Sequence, residues 1–541
     1  MSGEGRPQTL LVTGAGGTGR TTVAAATACA AAAQGHRTLL LSAEPARRLA
    51  ALLGTDGGDG AEAGAGGRTD GGDGRGEEGD RNARRSAPPP EPGLPAPVAS
   101  VPGLWLLRVD SGAEFRTRAV ALQERGRTVL DLLGAVPLDE DELTELPGAG
   151  TFALLRALRT AHRGAAGEHG GDGTAGTAAP DGAHVRHGAD SREGRRGQGG
   201  QNGRDSRDGR SGRDGRSGQD GRDEWDGRDE WDGRDGPAGW DIVVADLPPA
   251  PEGLNLLALP EQLRRYLRRL VPRERQAARA LRPVLAQLAG APMPAQWLYD
   301  AATRASAELA EVQEIVESPA TVVRLVTEPG PLAADALRTA GAGLRLHGLA
   351  LESVVANRLL PTGSPDPWLA ALAGQQQTAL KELRDTCEAE SVPLCELPHL
   401  GRDPRGPEDL TALADAARTA VGSGRTAECG PGEGLEPATG PSGTPGTEVA
   451  YGWVEDRLAS DGKLVWHLPL PGAGRDELEL VRRGDELTVG VGPYRRVLAL
   501  PSALRRCRVT GAGLKSGVLG VRFTPDPQLW PRSARKAAPH G

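Results

Sequence analysis

Residues 9–22 of this 541-residue chain, TLLVTGAGGTGRTT, decide its fold class. An apolar run ends at a glycine-rich loop, and an alanine-rich stretch of helix-forming residues follows. The loop has the spacing G-x-x-x-x-G-[basic]-[Ser/Thr] of a P-loop, and it lies between a predicted strand and a predicted helix. The sequence therefore predicts a phosphate-binding loop; the alternative is a glycine-rich turn that binds no ligand.

The residue types in this loop suit a polyphosphate ligand. Glycines allow successive backbone N–H groups to converge on phosphate oxygens, and the positive end of the following helix adds to the attraction. The hydroxyl of Thr21 is predicted to be a ligand of Mg²⁺. We predict that the phosphates are held by Gly14, Gly16, Gly17, Gly19, Arg20, Thr21 and Thr22.

Apolar strands and helical segments alternate through most of the chain. The helical stretch that follows the loop ends at Gly35, and the apolar strand TLLLS follows at 38–42. Strand–helix–strand units of this kind build a doubly wound, parallel α/β sheet. Further strands are predicted at 240–246, 321–329, 349–361 and 393–398, with a helical insert from 260 to 318.

Composition separates folded from unfolded stretches. Gly supplies 78 residues and Pro 43, nearly twice the usual share, and the segments 55–98 and 164–238 have no hydrophobic periodicity. Such segments cannot bury enough apolar surface to fold, so we predict disordered insertions. The predicted order is a nucleotide-binding domain at 8–421 interrupted by these insertions, a linker at 422–448, a small all-β sandwich at 449–524 and a disordered tail at 525–541.

Charge and cysteine content narrow the class of partner. A net charge of −8 gives no general attraction to nucleic acid or to an anionic membrane. The five cysteines are scattered without a C-x-x-C pair, which argues against structural zinc and against a disulfide framework. No apolar stretch approaches the ~20 residues of a membrane span, and the N-terminus lacks the pattern of a signal peptide. We expect a soluble, cytoplasmic protein without a transmembrane segment or a nucleic-acid partner.

Four segments, taken in order, resemble one known family. They are GAGGTGRTT at 14–22, SAEPARRL at 42–49, DIVVADLPPAPEGLNLLALPE at 241–261 and VANRLLP at 355–361. Together they resemble the arsenite-pump and tail-anchored-protein-targeting ATPases (the ArsA/GET family), whose loop reads G-K-G-G-V-G-K-T-T. The resemblance implies a MinD-like P-loop fold, a homodimer that binds ATP and Mg²⁺ between its protomers, and a client carried by helices inserted in the fold.

The resemblance also assigns roles to three polar residues outside the loop. Glu44 stands where the family has the switch I aspartate that orients the attacking water, which makes Glu44 the catalytic candidate. Asp246 stands where the family's aspartate holds Mg²⁺. Asn357 matches the asparagine that contacts adenine in the family.

Four departures from the family pattern affect the phosphate chemistry. Glu44 has one methylene more than the family's aspartate, which can misplace its carboxylate. Ala15 replaces the signature lysine that reaches the partner's phosphates, and Arg20 replaces the P-loop lysine, whose compact charge a planar guanidinium does not reproduce. Pro251 replaces the switch II glycine whose N–H senses the terminal phosphate, and proline has no N–H. The sequence also lacks both the cysteine triad of the arsenite enzymes and a methionine-lined groove for apolar clients, so the client stays unknown.

The predicted sandwich resembles the small-heat-shock-protein-like domain that some bacterial members of the family carry. The resemblance rests on LPLP at 468–471, LVRRGDEL at 480–487, RRVLALP at 495–501 and GVL at 517–519. It implies a module that dimerises or holds exposed apolar segments; the alternative is a small sandwich that only caps the larger domain.

Two functional hypotheses follow from the sequence. The first is an ATP-dependent dimeric switch in which weak hydrolysis is coupled to a protein client or a membrane partner. The second is a pseudo-ATPase, a scaffold or holdase that has lost hydrolysis. Ala15, Arg20 and Pro251 favour the second hypothesis, while the retained Thr21, Asp246 and Asn357 favour the first.

Overall fold

The computed structural model describes residues 7–55, 93–125, 127, 137–145, 148–166, 239–270, 296–421 and 452–530. Most of the predicted insertions, the whole predicted linker and most of the predicted tail lie outside the described residues. At the edges of these segments the structure describes more than the composition predicted. A short strand forms at Pro95–Pro97, where it pairs with a neighbouring strand, and the last strand continues to Pro525.

The larger sheet has eight strands among the described residues. They are β1 (Gln8–Gly14), β2 (Thr38–Ser42), β3 (Pro95–Pro97), β4 (Leu104–Arg108), β5 (Ile242–Asp246), β6 (Thr321–Thr327), β7 (Ala350–Leu359) and β8 (Leu394–Pro398). Their spatial order is β3-β4-β2-β5-β1-β6-β7-β8, and all adjacent pairs are parallel except β3 with β4. The predicted doubly wound α/β fold is confirmed.

Helices connect these strands and cover the sheet. In chain order they are α1 (Arg20–Ala33), α2 (Ala46–Leu53), α3 (Ser111–Arg125), α4 (Ala149–Ala166), α5 (Glu252–Leu270), α6 (Gln296–Val316), α7 (Ala333–His347), α8 (Pro367–Ala389) and α9 (Gly406–Val421). The predicted helical insert corresponds to α5 and α6. Helix α5 begins earlier than the predicted start at Pro260, which lies inside the helix.

The core beneath the glycine-rich loop is built around α1. Leu10 and Val12 of β1, Leu40 of β2 and Val244 of β5 pack with the alanines of α1 in one buried cluster. A helix that is buried on most of its surface needs small side chains to approach a sheet closely, which explains the alanine-rich sequence of α1. The loop that precedes α1 is therefore anchored between a central strand and a tightly packed helix.

The C-terminal part of the chain forms two antiparallel sheets. Its elements are β9 (Trp453–Arg457), β10 (Lys463–Pro469), β11 (Leu478–Arg483), β12 (Glu486–Val491), β13 (Tyr494–Ala499), α10 (Ser502–Arg505), β14 (Cys507–Lys515) and β15 (Val518–Pro525). The strand orders are β14-β15-β10-β9 and β11-β12-β13. Trp466, Tyr494 and Phe523 are the largest fully buried side chains of this part. The predicted all-β C-terminal part is confirmed.

A buried ion pair links the sheet to α1. Arg324 of β6 donates from Nε and Nη2 to the carboxylate of Glu352, at 3.0 and 2.8 Å, and from Nη1 to the hydroxyl of Thr27 on α1 at 2.9 Å. Burial alone would raise the pKa of Glu352, but the charge and hydrogen bonds of Arg324 hold it below its usual value. The pair fixes α1 to strands β6 and β7.

Removing Arg324 should therefore be costly. Arg324→Ala leaves the largely buried carboxylate of Glu352 without its counter-charge, with only the Ser353 hydroxyl as partner among the described residues, and we expect a loss of about 3 kcal/mol in the free energy of unfolding, measured by urea denaturation. The control is Arg384→Ala, because Arg384 pairs just as closely with Glu396 but at the surface, where a loss below about 1 kcal/mol is expected. Equal losses in the two variants would contradict the argument.

Candidate functional site

The carboxyl ends of three adjacent strands bring the predicted polar residues together. Val12 of β1 and Ser42 of β2 are both register partners of Asp246 at the end of β5. The glycine-rich loop leaves β1 at this edge, and Glu44 follows β2 two residues after Ser42. Ligands of open α/β sheets bind at such an edge, where the chain connections diverge to either side.

The glycine-rich loop adopts a shape that suits an anion. Gly19 lies immediately before α1 in the left-handed region, at φ +86°. The hydroxyl of Thr18 donates to the Ala15 carbonyl at 2.8 Å and fixes the turn. Among the described residues, none of the backbone N–H groups of residues 15–19 donates to another backbone carbonyl. These amides lie at the N-terminus of a fourteen-residue helix and can bind phosphate oxygens.

Hydroxyl and carboxylate oxygens form a cluster beside this loop. The buried Thr21 hydroxyl donates to Glu44 Oε1 at 3.3 Å. The hydroxyl of Ser42 donates to Asp246 Oδ2 at 2.9 Å and also accepts from the Glu44 N–H at 3.2 Å. The predicted residues Thr21, Glu44 and Asp246 are thus close together, whereas Thr22 lies half-buried in the first turn of α1.

Asp246 is buried in this cluster, and one of its two carboxylate oxygens accepts no hydrogen bond from the described residues. Burial raises the pKa of the carboxyl group, while the hydroxyls of Thr21 and Ser42 and the charge of Arg20 oppose that shift. Its Oδ1 atom has no hydrogen-bond partner among the described residues. An unpartnered buried acceptor is costly unless something binds it. Since carboxylate and hydroxyl oxygens are the ligands that Mg²⁺ prefers, Asp246 and Thr21 fit a magnesium ion.

The side chain of Arg20 lies along the segment that follows β5. Its Nη1 donates to the backbone carbonyl of Leu247 and lies 3.9 Å from Oδ1 of Asp246. The side chain is only 12% exposed. The sequence predicted that Arg20 holds phosphate. In this structure its guanidinium lies beside Asp246, the candidate Mg²⁺ ligand, and donates to the carbonyl of Leu247.

Asn357 and Arg358 support the loop from β7. The Asn357 side chain is buried, and its Nδ2 donates to the Thr18 carbonyl at 2.8 Å. Arg358 adopts the left-handed region at φ +61° and donates from Nη1 to the Gly17 carbonyl at 2.8 Å. The predicted contact of Asn357 with adenine stays a prediction; the structure shows the amide holding the P-loop backbone.

Two segments flank the loop at the positions to which the family resemblance assigns switch I and switch II, and they are called the first and second switch segments. After β2, Glu44 Oε2 pairs with Arg48 at 3.0 Å, one turn further along the chain. After β5, the N–H of Ala250 donates to the Gly14 carbonyl at 2.9 Å, and the chain passes through Pro251 directly into α5. The arrangement ties the segment 247–251 to the first residue of the loop.

The buried cysteines do not resemble a soft-metal site. Burial raises the pKa of the Cys29 thiol to about 12, and burial together with Glu390 raises that of Cys387 to about 12. Thiols with such pKa values are protonated near neutral pH, whereas metal and metalloid ligands are thiolates. Cys395 and Cys507 are also buried and form no disulfide with the other described cysteines.

Fold and glycine-rich loop together are those of the P-loop NTPase fold class. Comparison with family models is more specific: residues 7–62 and 235–418 match the anion-transporting ATPase, and residues 461–523 match the HSP20-like domain found in ArsA. The chain belongs to the ArsA-type anion-transporting ATPase family. No helix among the described residues is both long and apolar enough to cross a membrane.

Among the sequence relatives of the chain, the printed name of one agrees with this assignment. The chain is 44% identical to "Uncharacterized protein SCO2128" of Streptomyces coelicolor over 526 residues, 97% of this chain and 99% of the relative. It is 32% identical to "Protein Rv2184c" of Mycobacterium tuberculosis over 54% of this chain and 65% of the relative. It is 25% identical to "Putative arsenical pump-driving ATPase 1" of Aquifex aeolicus over 49% of this chain and 62% of the relative.

The close approach of β7 to the loop predicts that Gly19 cannot be replaced. A Cβ atom at Gly19 would lie 2.4 Å from Nδ2 of Asn357, in a left-handed conformation that itself costs about 1–2 kcal/mol. Gly363 has a similar φ of +82° but no atom within 4 Å of its Cβ position, so Gly363→Ala serves as the control.

Gly19→Ala should lower the free energy of unfolding more than Gly363→Ala does, as measured by urea denaturation. The difference between the two should shrink when both substitutions are repeated in an Asn357→Ala background, because that background removes the contact. The same difference in both backgrounds would show that Asn357 does not press on the loop.

Proposed function

We propose that this protein is a Mg²⁺- and ATP-dependent switch that acts as a homodimer and hydrolyses ATP slowly. The observation that carries the proposal is the buried Oδ1 of Asp246, which accepts no hydrogen bond from the described residues and has only the Arg20 guanidinium at 3.9 Å, beside Thr21 and a loop whose backbone amides donate to no backbone carbonyl. That combination offers ligands for a divalent cation next to donors for a polyphosphate. Membership of the ATPase family makes ATP the nucleotide of first choice.

In the proposed complex each residue has a definite task. The amides of residues 15–19 and the N-terminus of α1 hold the phosphates, while Thr21 and Asp246 hold Mg²⁺, which neutralises phosphate charge when bound. Glu44 is proposed to orient a water or accept its proton, and its hydrogen bonds with Thr21 and Ser42, beside the proposed Mg²⁺ ligands, support that role. Asn357 positions the loop and is proposed to contact the adenine.

Slow turnover follows from what this site lacks. Ala15 carries no charge toward the phosphates, and Pro251 has no N–H to offer the terminal phosphate. Glu44 is also held by Arg48, which competes with a water for the carboxylate. Stabilisation of the charge that develops during phosphoryl transfer is the main contribution of such enzymes, so these losses lower the rate more than they lower binding.

A pseudo-ATPase is the second candidate, favoured by the position of Arg20. Its guanidinium contacts Leu247 and approaches Asp246, so the cation of the loop is directed away from a phosphate. If that contact persists, the protein binds nucleotide poorly or not at all and acts as a scaffold or holdase through its HSP20-like domain.

Partners and location are part of the proposal as well. We propose a cytoplasmic protein whose client is a protein segment or a membrane partner, with domain boundaries at 8–421 and 449–524. The printed name of the Aquifex relative points to arsenical transport. Among the described residues no group of three or more Cys, His, Asp or Glu side chains is arranged to hold a metal ion, which argues against a metalloid as the client here.

Nucleotide titration with and without Mg²⁺ tests the central part of the proposal. We expect the full chain to bind a fluorescent ATP analogue, and to bind it more tightly with Mg²⁺. Arg20→Lys should lower the Kd by roughly tenfold, because a lysine ammonium is a compact charge that fits the loop. Arg37→Lys is the control, since Arg37 lies at the opposite, amino-terminal edge of the sheet. No binding by the unmodified protein would contradict the proposal and favour the scaffold.

Phosphate release separates a slow enzyme from a pseudoenzyme. We expect slow release from Mg-ATP by the unmodified protein, and a fall of roughly 10²-fold in Glu44→Ala, the range expected for loss of a general base. Glu396→Ala, which removes a surface carboxylate on β8, should leave the rate unchanged. Binding without any release would leave only the second candidate.

A further inference from the structure

The β-sandwich docks on the helix that begins at the nucleotide site. Helix α5 starts at Glu252, directly after the segment 247–251 that contacts Arg20 and the loop. Further along the same helix, Arg265 donates from Nε to Glu486 of β12 at 3.0 Å, and Arg269 also pairs with Glu486. The sandwich thus contacts a helix that is continuous with the second switch segment.

A buried arginine of the sandwich joins three helices of the ATPase domain. Arg496 of β13 is only 3% exposed. Its Nε lies 3.1 Å from the carboxylate of Glu261 on α5, its Nη2 lies 3.7 Å from Glu317 just after α6, and its Nη1 donates to the Leu346 carbonyl of α7 at 3.0 Å. Separating the sandwich from α5 would remove the nearest counter-charge from a buried guanidinium.

Packing against α7 fixes the position of the sandwich. A Cβ atom at Gly343 would lie 2.6 Å from the ring of Tyr494, so only glycine allows this approach. Arg338 donates to the Gly472 carbonyl at 2.7 Å and pairs with Glu477 at 3.1 Å. Burial, assisted by the charge of Arg496, lowers the pKa of His347 to about 3, so His347 stays neutral and the interface charges are those of arginines and glutamates.

The chemistry of this interface suits reversible docking. Most of its specific contacts are ion pairs, and several are partly exposed to solvent, as in interfaces between domains that move. Glu261 is nine residues from the start of α5, a distance of about 14 Å along the helix at 1.5 Å per residue, and it directly follows Pro260 within the same helix. A shift of the switch segment would therefore move Glu261 relative to Arg496.

We propose that the docked β-sandwich is an intramolecular inhibitor of the nucleotide site, acting through α5. In the docked arrangement the second switch segment engages the guanidinium of Arg20 through Leu247 and Asp246, so that this cation is withheld from phosphate. The Glu261–Arg496 contact stabilises that position of α5. Nucleotide binding and sandwich docking oppose each other, and a partner that engages the sandwich favours nucleotide binding. This inference rests on the proposed nucleotide function.

Two variants loosen the docking without touching the nucleotide site. Glu261→Gln keeps the shape of the side chain but removes the charge facing Arg496, and Glu486→Gln weakens the more exposed pairs with Arg265 and Arg269. Glu479→Gln is the matched control, because Glu479 pairs with Arg495 within the sandwich at 2.6 Å. Thermal unfolding of the full-length variants confirms that each is folded.

The measurement is the Kd for a fluorescent ATP analogue with Mg²⁺, together with hydrogen exchange at residues 343–347 and 494–499. We expect Glu261→Gln and Glu486→Gln to lower the Kd at least about fivefold, the lower end of typical coupling between sites. Glu479→Gln should leave it unchanged. Because coupling is reciprocal, nucleotide should speed exchange in both segments of the unmodified protein.

The possible failures are distinguishable. If the unmodified protein binds nucleotide but the two loosened variants bind with the same or weaker affinity, the inhibitory role of the sandwich is overturned and the proposed function stands. Unchanged exchange upon nucleotide binding also overturns it. If neither the unmodified protein nor the two loosened variants bind nucleotide, both proposals fail.

Discussion

The carboxylate of Asp246, buried at the end of a central parallel strand, is the constraint on which the rest of the site depends. A buried carboxylate needs partners, and this one has a hydroxyl from Ser42 on one oxygen and a nearby guanidinium from Arg20 on the other side. Both partners come from segments that must end at the same edge of the sheet. The need to satisfy one charge thereby links the glycine-rich loop, the first switch segment and the start of α5.

The same carboxylate can be satisfied in two ways, and that choice gives the site its character. With Arg20 beside it, the charge is compensated internally and the loop loses a cation for phosphate. With a divalent cation bound, as proposed, Arg20 would be free to turn to the phosphates. A lysine-based loop would favour the second state, because its compact ammonium group is matched to the phosphate position. The arginine makes the internal state more competitive, and the sandwich docked on α5 adds a further influence on the balance.

Local sequence pattern was sufficient to predict the fold but not these side-chain contacts. Short apolar runs such as 38–42 and 240–246 are typical of buried strands, so these strands could be predicted. The glycine spacing at 14–19 is typical of a P-loop backbone, so the loop could be predicted as well. The P-loop motif assigned Thr21 to the site, and the family resemblance assigned Glu44 and Asp246 to it. Ser42 was missed, although a serine at the end of an otherwise apolar strand is a signal that could have found it.

The direction of the Arg20 side chain and the partners of Arg496 could not be predicted, because each depends on segments far apart in the sequence. Arg496 meets Glu261, more than 200 positions earlier, and nothing in the local pattern of RRVLALP distinguishes it from the exposed Arg495 beside it. The most direct measurement is a crystal structure of the protein with Mg²⁺ and a non-hydrolysable ATP analogue. We expect Mg²⁺ at about 2.0–2.1 Å from Thr21 Oγ1, with Asp246 bound to it directly or through a water. We also expect the amides of residues 15–19 to contact the phosphates and the Arg20 guanidinium to have left the Leu247 carbonyl. A guanidinium still bound to Leu247, with no phosphate in the loop, would contradict the account.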